Sequence, residues 1–248
     1  MNIIADTHMH TIASTHAYST LQEMVHAAAL KKLYAVAITD HGVNMYGAPG
    51  KWYFHNMRVL PRRFEGVLLL RGQETNVIDY DGNVDLEPDC VDDLDWLVAS
   101  IHGVCMPKEK PTVEAVTNTW LQIAKNPRIN VIGHSGSTEY QYDYETVIPE
   151  FGRQGKLVEL NEGTFANRNK SVPNCVEIMK LCKKHSVPVI VNTDSHFSTQ
   201  VGCFENSLKL LDEIDFPEEL VVNSGVAPFQ SYLKQYTRVF DDPTLNHD

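Results

Sequence analysis

The chain has 248 residues, with 21 Lys plus Arg against 32 Asp plus Glu, a formal charge of −11. Hydrophobic residues make up 43% and charged residues 21%, which excludes collagen, coiled coil and extended disorder and leaves one globular domain over 1–248 with a core of its own. The acidic balance argues against nucleic acid as the main partner, because a phosphate backbone is gripped by clustered Lys and Arg. No apolar run approaches the about 18 residues of a membrane helix, and no basic start precedes a long apolar stretch. The five cysteines, at 90, 105, 175, 182 and 203, contain no Cys-x-x-Cys pair, the pattern of reduced core residues in the cytoplasm.

In chain order, residues 2–5 read as a first buried strand running into Asp6-Thr7-His8-Met9-His10. A helix over 19–32 follows, with Thr20 and Glu23 spaced as a capping box. Residues 34–38 form the second strand, leading into Thr39-Asp40-His41-Gly42. The stretch 43–64 holds Gly47, Pro49, Gly50, Pro61 and several aromatics without a helical period, so a long loop is expected, with Trp52, Tyr53, Phe54 and His55 serving as a lid or as packing. Further strands fall at 67–70, before Arg71-Gly72-Gln73-Glu74, and at 96–101, before His102. The last three lie at 130–132, before Gly133-His134, at 157–160, before Asn161-Glu162, and at 187–191, before Asn192-Thr193-Asp194-Ser195-His196. Helices are expected over 112–125, 144–154, 173–185 and 204–214. Continuous Val, Ile and Leu runs alternating with helices define an α/β protein with parallel strands covered on both faces. Ligand-like residues at one end of seven strands favour a (β/α) barrel over the open doubly wound sheet, because barrel chemistry sits at the carboxyl ends of the strands.

Eleven histidines are present, and where they fall decides the reading. His8 and His10, spaced i, i+2 on extended backbone, place both imidazoles on one side. His8, His10, His41, Glu74, His102, His134, Asp194 and His196 each lie at or just past a strand end, and His16 lies a few residues beyond the first. Parallel strands bring all nine to one mouth. Nine imidazole and carboxylate donors without a cysteine exceed the needs of one zinc ion and leave positions open for water or substrate when three ions share them. Asp6 and Asp40 flank ligand-like histidines and are expected to orient imidazoles by hydrogen bonds.

Taken together, Asp6-Thr7-His8-Met9-His10, Ser14-Thr15-His16-Ala17-Tyr18-Ser19-Thr20 and Ile38-Thr39-Asp40-His41-Gly42 resemble the PHP (polymerase and histidinol phosphatase) family. Ala48-Pro49, Asn56-Met57-Arg58, Leu70-Arg71-Gly72-Gln73-Glu74, Asp194-Ser195-His196 and Asp215-Phe216-Pro217 narrow the resemblance to its stand-alone YcdX-type phosphatases. The resemblance runs over nearly the whole chain. It implies a distorted seven-stranded (β/α) barrel with three metal ions, usually zinc. One ion would take His8, His10, Glu74 and Asp194, a second Glu74, His102 and His134, and the third His16, His41 and His196. It also implies a homotrimer. Departures from the family pattern are Thr7, Gly50-Lys51-Trp52-Tyr53 and Gly133-His134-Ser135-Gly136, which bear on the substrate more than on the chemistry.

Clustered divalent ions suit phosphoester hydrolysis, in which a water held between ions loses a proton near neutral pH and attacks phosphorus. The expected activity is a phosphomonoesterase acting on a small phosphorylated molecule, with Arg58, Arg71, Arg168 and Lys170 as candidates to clamp phosphate and Asn161 and Glu162 facing substrate or closing the barrel. Zn²⁺ is the expected metal, and histidine-rich sites also accept Mn²⁺ or Fe²⁺. The alternatives are a phosphodiesterase or exonuclease, a metal-loaded module that binds phosphorylated ligands without turnover, and an amidohydrolase-type reaction. The last is the weakest, since no lysine follows the third or fourth strand.

Overall fold

The computed structural model describes residues 1–247; Asp248, the end of the expected 1–248 domain, lies outside them. Along the chain run β1 (Ala5–Asp6), α1 (Leu21–Leu30), β2 (Ala35–Ile38), α2 (Lys51–His55), β3 (Arg63–Phe64), β4 (Val67–Asn76) and β5 (Trp96–Ser100). They are followed by α3 (Val113–Lys125), β6 (Val131–Ile132), α4 (Tyr144–Arg153), β7 (Leu157–Asn161) and α5 (Gly163–Asn167). The last elements are α6 (Val172–His185), β8 (Val189–Asn192), α7 (Glu205–Glu213) and α8 (Val226–Tyr236).

All seven expected strands are present and parallel, in the order β1-β2-β4-β5-β6-β7-β8, with short β3 antiparallel to the start of β4. β4 is longer than its apolar run. Its first half pairs with β2, from Ala35–Leu68 to Ile38–Arg71, and its second half with β5, from Gly72–Trp96 to Asn76–Ser100. This offset carries the polar stretch Gln73–Asn76 into the sheet and gives Glu74 a rigid strand position.

The sheet nearly closes on itself, and β1 and β8 meet in two ways. Beyond the strand ends, Asp194 N–H donates to His8 O (2.9 Å) and His10 N–H to Ser195 O (2.8 Å). At the other end of the seam, buried Asn223 fills the gap. Its Nδ2 donates to Ala5 O (2.8 Å) and Val191 O (2.7 Å), while its Oδ1 accepts from Val191 N–H (3.1 Å). A side-chain amide thus replaces ladder hydrogen bonds that would otherwise be buried and unmade. The result is the distorted (β/α)7-type barrel.

The expected capping box forms at Thr20 and Glu23, and Thr112 and Asp143 cap α3 and α4. The segment 43–64 departs from the expected loop in one respect and bears out the packing expected of Phe54. It contains the helix α2, its Phe54 and Met57 are buried in the main core, and the Tyr53 hydroxyl donates to Asp40 (2.6 Å). Helix α8 was not expected, although buried Phe229, Tyr232 and Leu233 carry its i, i+3, i+4 stripe. Those three close the amino end of the barrel against Trp96, whose ring centroid lies 6.1 Å from Phe229 and 5.8 Å from Tyr232. Truncating Phe229 to alanine should lower stability by about 3–5 kcal/mol, read as a fall in the denaturation midpoint at constant slope. A change below about 1 kcal/mol would mean that α8 does not secure the barrel floor.

Candidate metal centre at the carboxyl ends of the strands

The nine sequence-predicted residues converge at one end of the barrel. Glu74 lies at the middle. Its Oε1 is 3.0 Å from His134 Nε2, 3.2 Å from His8 Nε2 and 3.5 Å from His102 Nε2. Its Oε2 is 2.6 Å from His41 Nδ1 and 3.5 Å from His10 Nε2. Asp194 Oδ1 approaches His10 Nε2 (3.1 Å) and His8 Nε2 (3.5 Å). His16, on the loop after β1, faces His41 with their Nε2 atoms 3.1 Å apart, and the His16 and His196 rings are centred 4.8 Å apart.

Three tight triads have donor atoms within 4.8 Å of one another: His8, His10 and Asp194; His41, Glu74 and His102; and His10, His41 and His196. They overlap the sets implied by the family resemblance without coinciding with them, since His10 groups also with His41 and His196. Backbone placement is specific as well. His134 (φ 26°) and Asp194 (φ 57°) occupy the left-handed region just past β6 and β8, a conformation uncommon outside glycine and concentrated at functional sites.

The charges of the cluster are tightly coupled: burial opposes charge on His8 and His41, but Glu159 and Glu74 around His8 and Glu74 beside His41 outweigh it and hold both imidazoles above the ordinary range. Burial opposes charge on Glu74, but His102, His8 and His41 outweigh it and hold its carboxyl well below the usual range. Burial likewise opposes charge on Asp194, and His8, His10 and Arg168 overcome it. Burial, together with His41, pushes His10 well down, and burial takes His102 to about 3. His8 Nε2, His10 Nδ1, His41 Nδ1 and Glu74 Oε2 are buried without an aligned hydrogen-bond partner, although several are within ion-pair distance. Such orphaned donor atoms, aimed at one another, fit bound metal ions.

Three imidazoles are oriented by neighbours. His8 Nδ1 donates to Glu159 Oε1 (2.7 Å), His102 Nδ1 to Asn76 Oδ1 (2.7 Å) and His196 Nδ1 to the Asp194 carbonyl (2.8 Å), so each presents its other nitrogen as an acceptor. Asn76 is fixed in turn, because its Nδ2 donates to Gly42 O and Asp85 Oδ2. Glu159 accepts four bonds: from His8 Nδ1, Asn192 Nδ2 (3.0 Å), the His134 backbone N–H (2.8 Å) and Asn161 Nδ2 (3.0 Å). The sequence reading passed over Glu159 and Asn76.

Other expectations need correction. Asp6 and Asp40 touch no imidazole. Asp6 accepts from Thr193 N–H and Oγ1 and from Gly202 N–H, holding the loop that carries Asp194 and His196; burial raises its pKa to about 6. Asp40 accepts from Thr11, Ser14 and Tyr53, holding the loop after β1. Arg71 alternates outward from Glu74 along β4 and donates to Leu60 O (2.6 Å), so the structure does not bring it to the cluster. Glu162 binds Asn206 and Ser207 at the start of α7 rather than facing the cluster. Arg58 and Lys170 are exposed, with no hydrogen-bond or ion-pair partner among the described residues. Arg168 does reach the cluster, donating to Asp194 Oδ2 (2.9 Å) and Asn161 Oδ1 (3.0 Å), with its Nε buried and unpartnered.

Convergent side chains at the carboxyl mouth of an α/β barrel define a barrel enzyme, whose chemistry is set by the site rather than by the fold. The PHP domain model matches residues 6–163, and the chain belongs to that family. It is 42% identical over 234 residues to a protein of Caldicellulosiruptor saccharolyticus named "Probable phosphatase", covering 94% of this chain and 97% of the relative. A "Probable phosphatase" of Acetivibrio thermocellus is also 42% identical, over 95% of this chain and 97% of its own. Among solved structures, histidinol phosphate phosphatase from Lactococcus lactis, complexed with Zn, L-histidinol and phosphate, superposes with a TM-score of 0.60 at 14% identity. That likeness covers 88% of this chain and 95% of the other. A chain of archaeal ribonuclease P with mature tRNA reaches 0.59 at 11%, covering 96% and 94%, so the shared fold by itself assigns no activity.

Proposed function

We propose that the chain is one catalytic unit, a metal-dependent phosphatase that hydrolyses phosphomonoesters of small molecules. The observation that carries this reading is the buried Glu74 carboxylate with imidazoles of five histidines within 3.5 Å of its two oxygens. Phosphatase names on relatives matched over nearly their whole length support the same activity. His8, His10, Glu74 and Asp194 would hold one ion, Glu74, His102 and His134 a second, and His16, His41 and His196 a third, with Zn²⁺ the expected metal. Divalent ions held there supply Lewis-acid charge to phosphoryl oxygens and ease deprotonation of water.

The chain's own groups have defined tasks. Glu159 keeps His8 in the tautomer whose Nε2 accepts, and Asn76 does the same for His102. Arg168, anchored through Nη2 by Asp194 and Asn161 and half-buried at the rim, would hold a phosphoryl oxygen with the rest of its guanidinium, whose planar fork suits phosphate geometry. Glu159 adds a third buried anion to Glu74 and Asp194, so three dications still leave the site electropositive within an acidic chain, and it attracts a phosphate dianion. Among the described residues no helix is long and apolar enough to cross a membrane, and all five cysteines are free, which supports a reducing cytoplasmic setting.

The test is metal content per chain after purification without added metal, measured beside hydrolysis of monoester and diester substrates with matched leaving groups, L-histidinol phosphate among the monoesters. About three ions per chain, with monoesters turned over at least tenfold faster than diesters and turnover lost in His41→Ala, is the expected outcome. Preferential diester cleavage would move the assignment to a phosphodiesterase. Full metal without any turnover would make the chain a binding module.

A further inference from the structure

The mouth of the site is chemically lopsided. In a chain where 21% of residues are charged, the stretches 7–20, 42–50 and 195–204 contain no Asp, Glu, Lys or Arg. These stretches adjoin one another. Tyr18 N–H donates to His196 O (2.9 Å), Ser198 N–H to Ser19 Oγ (3.0 Å) and Thr15 Oγ1 to Tyr46 O (3.3 Å). Gly47 (φ +71°) lies so close to Thr15 that a Cβ there would collide with its side chain, which holds the third stretch against the first. His16 lies within this sector, and it carries exposed apolar side chains: Ile12 (58% exposed), Tyr18 (72%), Tyr46 (77%) and Phe197 (46%). Single exposed apolar residues are ordinary; here four stand on loops that touch one another and that also carry His10, His16 and His196. The cationic group that reaches the cluster, Arg168, comes instead from the segment after β7.

From this asymmetry we infer that the site selects phosphomonoesters whose alcohol portion is apolar or aromatic, with Ile12, Tyr18, Tyr46 and Phe197 as its specificity-determining rim. The inference rests on the phosphatase reading for its placement of the phosphate at Arg168 and the Glu74 cluster. A polar polyol such as a sugar phosphate would find no Asp, Glu, Lys or Arg along this sector, only the neutral side chains of residues such as Thr15, Asn44 and Thr199. An aryl or alkyl group there removes apolar surface from water, and burial of part of one aromatic ring is worth about tenfold in affinity.

Two measurements on the metal-loaded full chain test it. In the first, 3-phenylpropyl phosphate is compared with glycerol 3-phosphate and propyl phosphate. The wild type should favour the phenylpropyl ester in kcat/KM by about tenfold, and the Tyr18→Ser, Phe197→Ser double variant should bring that ratio toward one. In the second, calorimetry compares 3-phenylpropylphosphonate with propylphosphonate, which bind without being hydrolysed, and the same tenfold preference is expected. A ratio near one in the wild type, or a ratio that survives in the double variant, overturns the rim. So does a double variant that changes the sedimentation of the chain while keeping the ratio, which would make the sector a subunit contact. Tighter phosphonate binding with no ester hydrolysed would support the rim and sink the phosphatase reading.

Discussion

Replacing Glu74 by glutamine should abolish phosphatase activity, with a loss of about a thousandfold or more, and should lower the metal bound per chain. The size of the loss follows from geometry. Both carboxylate oxygens are engaged, Oε1 beside His8, His102 and His134 and Oε2 beside His41 and His10, so one side chain serves both halves of the cluster. Glutamine keeps the volume but removes the charge, and it turns one end from acceptor to donor. Lost stabilisation of several kcal/mol at developing phosphoryl charge corresponds to about three decades at 1.36 kcal/mol per tenfold. The checks are metal analysis, turnover of an aryl phosphate, and a circular dichroism spectrum to show that the barrel persists. A Glu74→Gln chain with full metal and activity within tenfold of wild type would mean that the carboxylate does not bridge the cluster.

Much of this site was legible in the sequence because parallel barrel strands are read in one way. Apolar runs mark the strands, and the residues after each run must gather at one rim. His8, His41, His102 and His134 are found by that rule without any contact being known. The rule identifies which residues meet at the rim, and it does not assign partners. Asp6 stands two residues before His8, where alternation alone would place both on one side, and its carboxylate is instead taken up by Thr193 and Gly202 of the neighbouring loop. Asp40 adjoins His41, and on extended backbone adjacent side chains point apart, so its carboxylate turns to Thr11, Ser14 and Tyr53. Arg71 fails for the same parity reason, one residue out of phase with the inward face that Glu74 shares with Leu70. Helix α8 was hidden by Gly225 and Pro228 at its start, though its Phe229, Tyr232, Leu233 stripe was available. Asn223 gave no signal, because a buried asparagine that completes a sheet seam looks like any loop asparagine until both edges are in place.

Glu159 did give a signal, since a charged residue stands inside the apolar run Leu157-Val158-Glu159-Leu160 of a strand with every residue buried. A buried carboxylate without compensating donors would cost several kcal/mol; this one has four, and with His8 the foremost attractive partner its pKa falls despite burial. All four partners donate, so the group must remain an acceptor at both oxygens. Glu159→Gln forces an N–H against one of those donors and loosens His8, His134 and the Asn161–Asn192 pair together. Because Glu159 contacts the imidazole rather than substrate, it is a positioning residue, and its loss should weaken metal binding by about 10- to 100-fold. A purely structural role would lower stability and the amount of active protein without moving the metal dependence. The expected result is therefore an activity-against-free-Zn²⁺ curve displaced by one to two decades toward higher metal, with kcat recovered to within about tenfold at saturation. A Glu159→Gln curve that overlays the wild type in half-saturating metal would show that the carboxylate supports the barrel and leaves His8 unaffected.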